Sequence, residues 1–116
     1  DAAKFAAREL RRGRRYDGII LDPPKFGRGP EGEVWRLEDH LAPLVHDCAA
    51  LLGEGSRFLF LTVYAVRLSG VALGELLNEA CAHLPGRIEW GDLAVRESGD
   101  HPRLLPTAIF ARWSNG

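Results

Sequence analysis

The chain has 116 residues, 46% of them apolar and 27% charged, a length and balance that fit one small, ordinary soluble globular domain. Its 15 basic and 16 acidic residues leave a net charge of -1, which excludes a global field drawing it onto nucleic acid or an anionic membrane. Two cysteines are too few for a secreted disulfide scaffold, no apolar run is long enough to span a membrane, and the first residues lack a signal-peptide pattern. A cytoplasmic protein is expected. Because no methionine occurs anywhere, the chain is also expected to be cut from something longer.

In chain order, Asp1 is placed to cap a helix running to about Arg12, with Phe5, Ala6 and Leu10 inward and Gly13 as its stop. Tyr16 to Leu21 follows, its Ile19-Ile20-Leu21 core reading as a parallel strand buried on both faces. Asp22-Pro23-Pro24 ends it. Lys25 to Gly32 reads as loop, and Val34 to Leu52 as a helix that Pro43 should kink or split. Gly53 to Ser56 is a turn before a second fully buried strand, Phe58 to Val63. Ser69 caps a third helix to about Leu84, with Val71, Leu73, Leu76, Leu77 and Ala80 inward. Arg87 to Val95 and Thr107 to Trp113 are strand-like, and the Arg96 to Pro106 connection holds no crossover helix, so the two should pair antiparallel.

Two successive prolines remove backbone donors and stiffen the chain, which frees the carbonyls around Pro23 and Pro24 to face a substrate. Asp22 then stands at the carboxyl end of a parallel strand, where open α/β sheets hold ligands. This order of elements and the segment YDGIILDPPKFGRG at 16–29 resemble the C-terminal half of a class I S-adenosylmethionine-dependent methyltransferase, in particular the bacterial large-subunit rRNA methyltransferase-like group. Asp100-His101-Pro102 matches a further segment of that group. The resemblance implies an α/β fold: half of a Rossmann-like methyltransferase sheet, two parallel strands with flanking helices followed by an antiparallel strand pair. Residues 1–116 would form the C-terminal portion of the catalytic domain.

The resemblance also implies roles. Asp22, Pro23 and Pro24 would form the catalytic, acceptor-side centre, with Asp22 near the transferred methyl. Asp1 and Ala2, with Asp22, would touch the cofactor S-adenosyl-L-methionine, although Asp1 also reads as a plain helix cap. Lys25, Phe26 and Arg28 would bind the substrate, expected to be ribosomal RNA. Phe26 is one residue later than the base-stacking aromatic of base-amino methyltransferases, since Lys25 intervenes. The cysteine of enzymes making 5-methylcytosine has no counterpart, because its place reads Thr62-Val63-Tyr64-Ala65. Cys48 and Cys81 sit at inward helical positions, so transfer to nitrogen or oxygen without a covalent intermediate is expected.

Two other readings stand beside this one. Gly27-Arg28-Gly29-Pro30-Glu31-Gly32 spells a phosphate-binding glycine motif, but five residues separate it from the strand and Pro30 has no amide to offer. A non-catalytic RNA-binding module could use Arg8, Arg11, Arg12, Arg14 and Arg15, together with Lys25 and Arg28, against phosphates. His40, His46, His83 and His101 show no metal-ligand spacing with either cysteine, so no metal is expected. The glycine-rich cofactor loop of the resembled family has no counterpart here, so cofactor affinity is expected to fall by about three orders of magnitude. The strand at Tyr16 to Leu21 should then be a bare apolar edge, able to pair with a second copy as a homodimer.

Overall fold

Asp1 opens the first helix, α1 (Ala2–Arg11), because its carboxylate accepts the free amides of Ala3 and Lys4 at 2.8 and 3.2 Å. Gly13, at φ 69°, lets the chain turn away after it. The remaining elements of this computed structural model are β1 (Gly18–Leu21), β2 (Phe26–Arg28), β3 (Val34–Arg36), α2 (Leu37–Ala50), β4 (Phe58–Val63), α3 (Gly70–Ala80), β5 (Arg87–Arg96) and β6 (Leu104–Ser114). The structure describes residues 1–29, 31–64 and 67–116.

Four strands make one sheet in the order β1-β4-β6-β5, and β2 and β3 form a separate hairpin. β1 and β4 are parallel, with Leu21 opposite Leu61, while β6 runs antiparallel to both β4 and β5. The α/β half-sheet and the antiparallel final pair match the expectation from sequence. Side chains alternate across a strand, so Leu59, Leu61, Val63, Ala111 and Trp113 share one face, and all are buried. They join Leu41, Leu44, Val45 and Cys48 of α2 and Leu73 and Leu77 of α3 in a single core. Helix α3 lies on β5 and β6, α2 packs beside α3, and α1 packs beside α2.

The opposite face is not covered in this way, and this corrects the expectation of strands buried on both sides. Ile20 is 73% exposed and Phe58 is also exposed, because the described helices pack against the other face. Here Phe60 stacks on Phe110 at 5.7 Å between ring centroids, and Arg112 donates to Glu89 at 2.8 Å, which holds the Glu89 carboxyl below its ordinary range. Gly18 carries no Cβ, and one added there would strike the Phe58 ring that lies across it. Phe5 and Val71, expected inward, are exposed as well. Each lies beside the buried stripe of its helix, and Ala6 and Leu73 take the inward positions.

Two further expectations change. Val34 to Arg36 is strand, not the first turn of a helix, and α2 starts at Leu37. Val and Trp suit an extended pairing with β2, and Arg36 keeps extended dihedrals while its amide donates to the His40 ring. Pro43 lies inside α2 without splitting it. Its missing amide forfeits one helical bond on an exposed side, and the buried Leu41, Leu44 and Val45 hold the turn around it.

Trp90 sits against α3 at Gly70 and Gly74, one helical turn apart, where an added Cβ would come within 2.8 and 2.3 Å of the indole. Replacing buried Gly74 by Val therefore forces Trp90 off the helix. The expected loss is about 1–3 kcal/mol of unfolding free energy, read from urea denaturation followed by tryptophan fluorescence.

Candidate functional site

Asp22 leaves the sheet at the carboxyl end of β1, and the parallel register brings Thr62 of β4 beside it. The Thr62 hydroxyl donates to Asp22 Oδ1 at 2.7 Å. One carboxylate oxygen is thereby fixed, and the carboxylate remains solvent-exposed. Pro23 is buried under it, which anchors the loop without requiring a backbone donor.

The Pro24 carbonyl is not turned toward a substrate as the sequence suggested. It accepts the indole N–H of Trp35 at 2.6 Å, and the next carbonyl, of Lys25, accepts the Leu37 amide at 3.0 Å. Trp35 can reach it because β3 pairs with β2 directly after the prolines, with Gly27 opposite Trp35. The Trp35 ring also lies 5.5 Å from that of His40. His40 Nδ1 lies 2.9 Å from the Arg36 amide and 3.0 Å from the Arg36 carbonyl, which ties the first turn of α2 to the end of β3. The hairpin is thus fastened at three points to the loop and to the first turn of α2.

Phe26 is 52% exposed, and the Arg28 guanidinium lies 5.8 Å from the centre of its ring. Lys25 is exposed and borders a cleft of about 450 Å³ between α2 and α3, walled by Leu37, Leu41, Leu73 and Leu76 with Arg67 at its rim. Asp22 does not line this cleft. Asp1 is committed to its helix through Oδ1, and Ala2 is exposed beside it. The first turn of α1 is tied to the hairpin tip, where Lys4 pairs with Glu31 at 3.6 Å and Glu33 at 3.9 Å. That contact places the start of α1 at the hairpin, which itself adjoins Asp22. The ribbon of β5 and β6 overhangs the same end, because β6 begins at Leu104 and meets β4 only at Ile109. Exposed Asp100, His101 and Pro102 lie at its tip.

The glycine-rich segment does not form a phosphate cradle. Gly29 N–H donates to the Glu33 carbonyl at 2.8 Å and Glu31 N–H to the Glu33 carboxylate at 3.1 Å, so a carboxylate already takes the place of an anion. Pro30, on which part of that argument rested, lies outside the described residues, as does Ala65 of the segment after β4. Among the described residues, no His, Cys, Asp and Glu group could hold a metal ion, and no helix is long and apolar enough to cross a membrane. The partner roles of Thr62 and Trp35 were not read from sequence. Thr62 needed the strand register, and Trp35 needed a hairpin hidden behind a helix-like pattern.

Both cysteines are buried, and burial pushes each thiol up to about 11, with Asp47 adding to the rise at Cys48. Neither is a ready thiolate near neutrality. The native chain is expected to take up no iodoacetamide at about pH 8 and to take up label at both thiols after unfolding, as read by intact mass.

Over 98% of its length the chain is 44% identical to an S-adenosylmethionine-dependent methyltransferase from Agrobacterium tumefaciens, with a TM-score of 0.91, and it spans 38% of that protein. A Streptococcus mutans protein assigned as an S-adenosylmethionine-dependent methyltransferase shares the fold at 15% identity and a TM-score of 0.61, over 97% of this chain and 29% of its own. Precorrin 8W decarboxylase of Methanobacterium thermoautotrophicum shares it at 12% identity and a TM-score of 0.54, over 100% of this chain and 52% of its own. No protein-family model and no curated protein matches the sequence. The chain has the α/β fold of the matching segment of S-adenosylmethionine-dependent methyltransferases. A decarboxylase with the same half-sheet shows that fold alone does not set the reaction, so the 44% identity carries more weight than the distant likenesses.

Proposed function

We propose that this chain is the acceptor-side, C-terminal part of an S-adenosylmethionine-dependent methyltransferase that modifies RNA, ribosomal RNA in particular, at a nitrogen or oxygen. The observation that carries this reading is Asp22 at the carboxyl end of β1, held by Thr62 and followed by two prolines, in a chain 44% identical to a methyltransferase. When bound, S-adenosylmethionine supplies an activated methyl group, and the electrons of the broken carbon–sulfur bond stay on sulfur. The residues present fit the acceptor side of such a site: a carboxylate with one oxygen held by Thr62 and the other without a hydrogen-bond donor among the described residues, and no cysteine beside it. On this reading Asp1 and Ala2, with Asp22, are the cofactor contacts, and the Asp1 carboxylate also caps α1.

Asp22 accepts a hydrogen bond from the acceptor N–H or O–H and holds the proton released on transfer. Thr62 fixes which oxygen stays free to do so. Pro23 and Pro24 set the position of the carboxylate, while Lys25, Phe26 and Arg28 hold the nucleotide. The buried, protonated thiols of Cys48 and Cys81 support direct transfer without a covalent enzyme intermediate. The open edge of β1 is offered for pairing with a second copy, since β1 pairs only with β4 among the described residues.

A chimera in which this chain replaces the matching segment of the Agrobacterium tumefaciens enzyme tests the reading. It is expected to bind S-adenosylhomocysteine in the micromolar range by calorimetry and to transfer tritiated methyl to unmodified ribosomal RNA. Asp22→Ala should slow transfer about 10²-fold or more at saturating S-adenosylmethionine. A folded chimera that binds no S-adenosylhomocysteine, or an Asp22→Ala chimera that transfers at the parent rate, sinks the reading.

A further inference from the structure

We propose that the outer face of the β2–β3 hairpin is a binding platform for a single-stranded nucleic-acid segment, with Arg36 as a phosphate-binding residue alongside Arg28 and with Phe26 as the stacking surface. Only the choice of RNA as the ligand tested rests on the methyltransferase reading. The platform itself rests on the register of the hairpin.

Phe26 lies opposite Arg36, Gly27 opposite Trp35, and Arg28 opposite Val34. Alternation therefore puts Phe26, Arg28, Val34 and Arg36 on one face and Gly27 with Trp35 on the other. The inner face is spent on the proline loop: Trp35 donates to Pro24, and a Cβ at Gly27 would stand 3.8 Å from the Pro24 ring. The four outer side chains are all exposed, and no carboxylate stands among them.

Two arginines neighbour Phe26 on that face. Arg28 lies over its ring at 5.8 Å, and Arg36 is its direct cross-strand neighbour, at about 5 Å between Cβ atoms. Neither arginine has an ion-pair partner among the described residues, while Glu31 and Glu33 at the hairpin tip are engaged by Lys4. An exposed aromatic ring with one guanidinium over it and a second arginine as its cross-strand neighbour suits a base flanked by phosphates, and only an unpaired strand can lay a base face on it. Three anchors to the proline loop and α2 keep the platform rigid, so little ordering cost falls on binding.

The test is fluorescence anisotropy of a labelled 12-nucleotide single-stranded RNA, and of the same RNA as a duplex, with this chain and its variants over a salt series. Wild type is expected to bind the single strand at least tenfold more tightly than the duplex. Phe26→Ala should weaken single-strand binding about tenfold at every salt concentration. Arg28→Gln and Arg36→Gln should each lower the slope of log affinity against log salt by about 0.7, whereas Arg57→Gln, at the amino end of β4, should leave it unchanged. Absent binding by wild type, equal affinity for the duplex, or an equal slope change in Arg57→Gln overturns the proposal. These readouts need no cofactor. Failure here thus leaves the chimera result standing, and a chimera without cofactor binding leaves the platform standing.

Discussion

Two adjacent prolines at the end of a parallel strand control what the carboxyl end of this sheet can be. Neither has an amide to give to a neighbouring strand, so β1 stops at Leu21 and the chain must find other partners for its carbonyls. Trp35 and the Leu37 amide supply them at Pro24 and Lys25. The short hairpin exists in this place because those two bonds and the ladder between β2 and β3 form together. Asp22 gains a fixed position from the same arrangement, since buried Pro23 holds the backbone below it and Thr62 holds one carboxylate oxygen.

The sheet shows a second constraint, which is one-sided burial. Helix α3 reaches over Trp90 because Gly70 and Gly74 leave room for the indole, and α2 and α1 follow on the same side. The other side keeps Ile20, Phe58 and the stacked Phe60 and Phe110 without described helices over them. An apolar run such as Ile19-Ile20-Leu21 is what a strand needs when both of its faces are covered. The Agrobacterium tumefaciens protein is more than twice the length of the segment matched here, so in such a protein additional chain is at hand to cover that face.

This explains how far the sequence could be read. The parallel pair, the three helices and the final antiparallel ribbon were legible because each rests on a local signal: the Asp1 and Ser69 caps, the apolar runs of β1 and β4, and a connection after Arg96 too short for a crossover helix. Burial of Ile20 and Phe58 was misjudged because a strand reports the faces it can bury and not the faces that a given chain covers. The hairpin was missed for a different reason. Its strands are three residues each and hold through the Trp35 contact with Pro24, an interaction eleven positions apart that no periodicity encodes. Asp22, Pro23 and Pro24 were legible as a motif, but the partners that fix them were not, since Thr62 is forty residues away and adjacent only through strand register.

The charge balance also takes on a different meaning once the residues are placed. A net charge of -1 argues against nucleic-acid binding only if charge is spread evenly, and here it is not. Glu31 and Glu33 are drawn to Lys4 and the loop amides, and Glu89 is held by Arg112 on the open sheet face. With these acids occupied, Arg28 and Arg36 stand beside Phe26 without a described counter-ion. The glycines between them, which spell a phosphate motif in one dimension, serve instead to turn the chain so that β3 can return along β2. Arg28, within the segment that fails as a nucleotide loop, thereby shares one exposed hairpin face with Phe26 and Arg36.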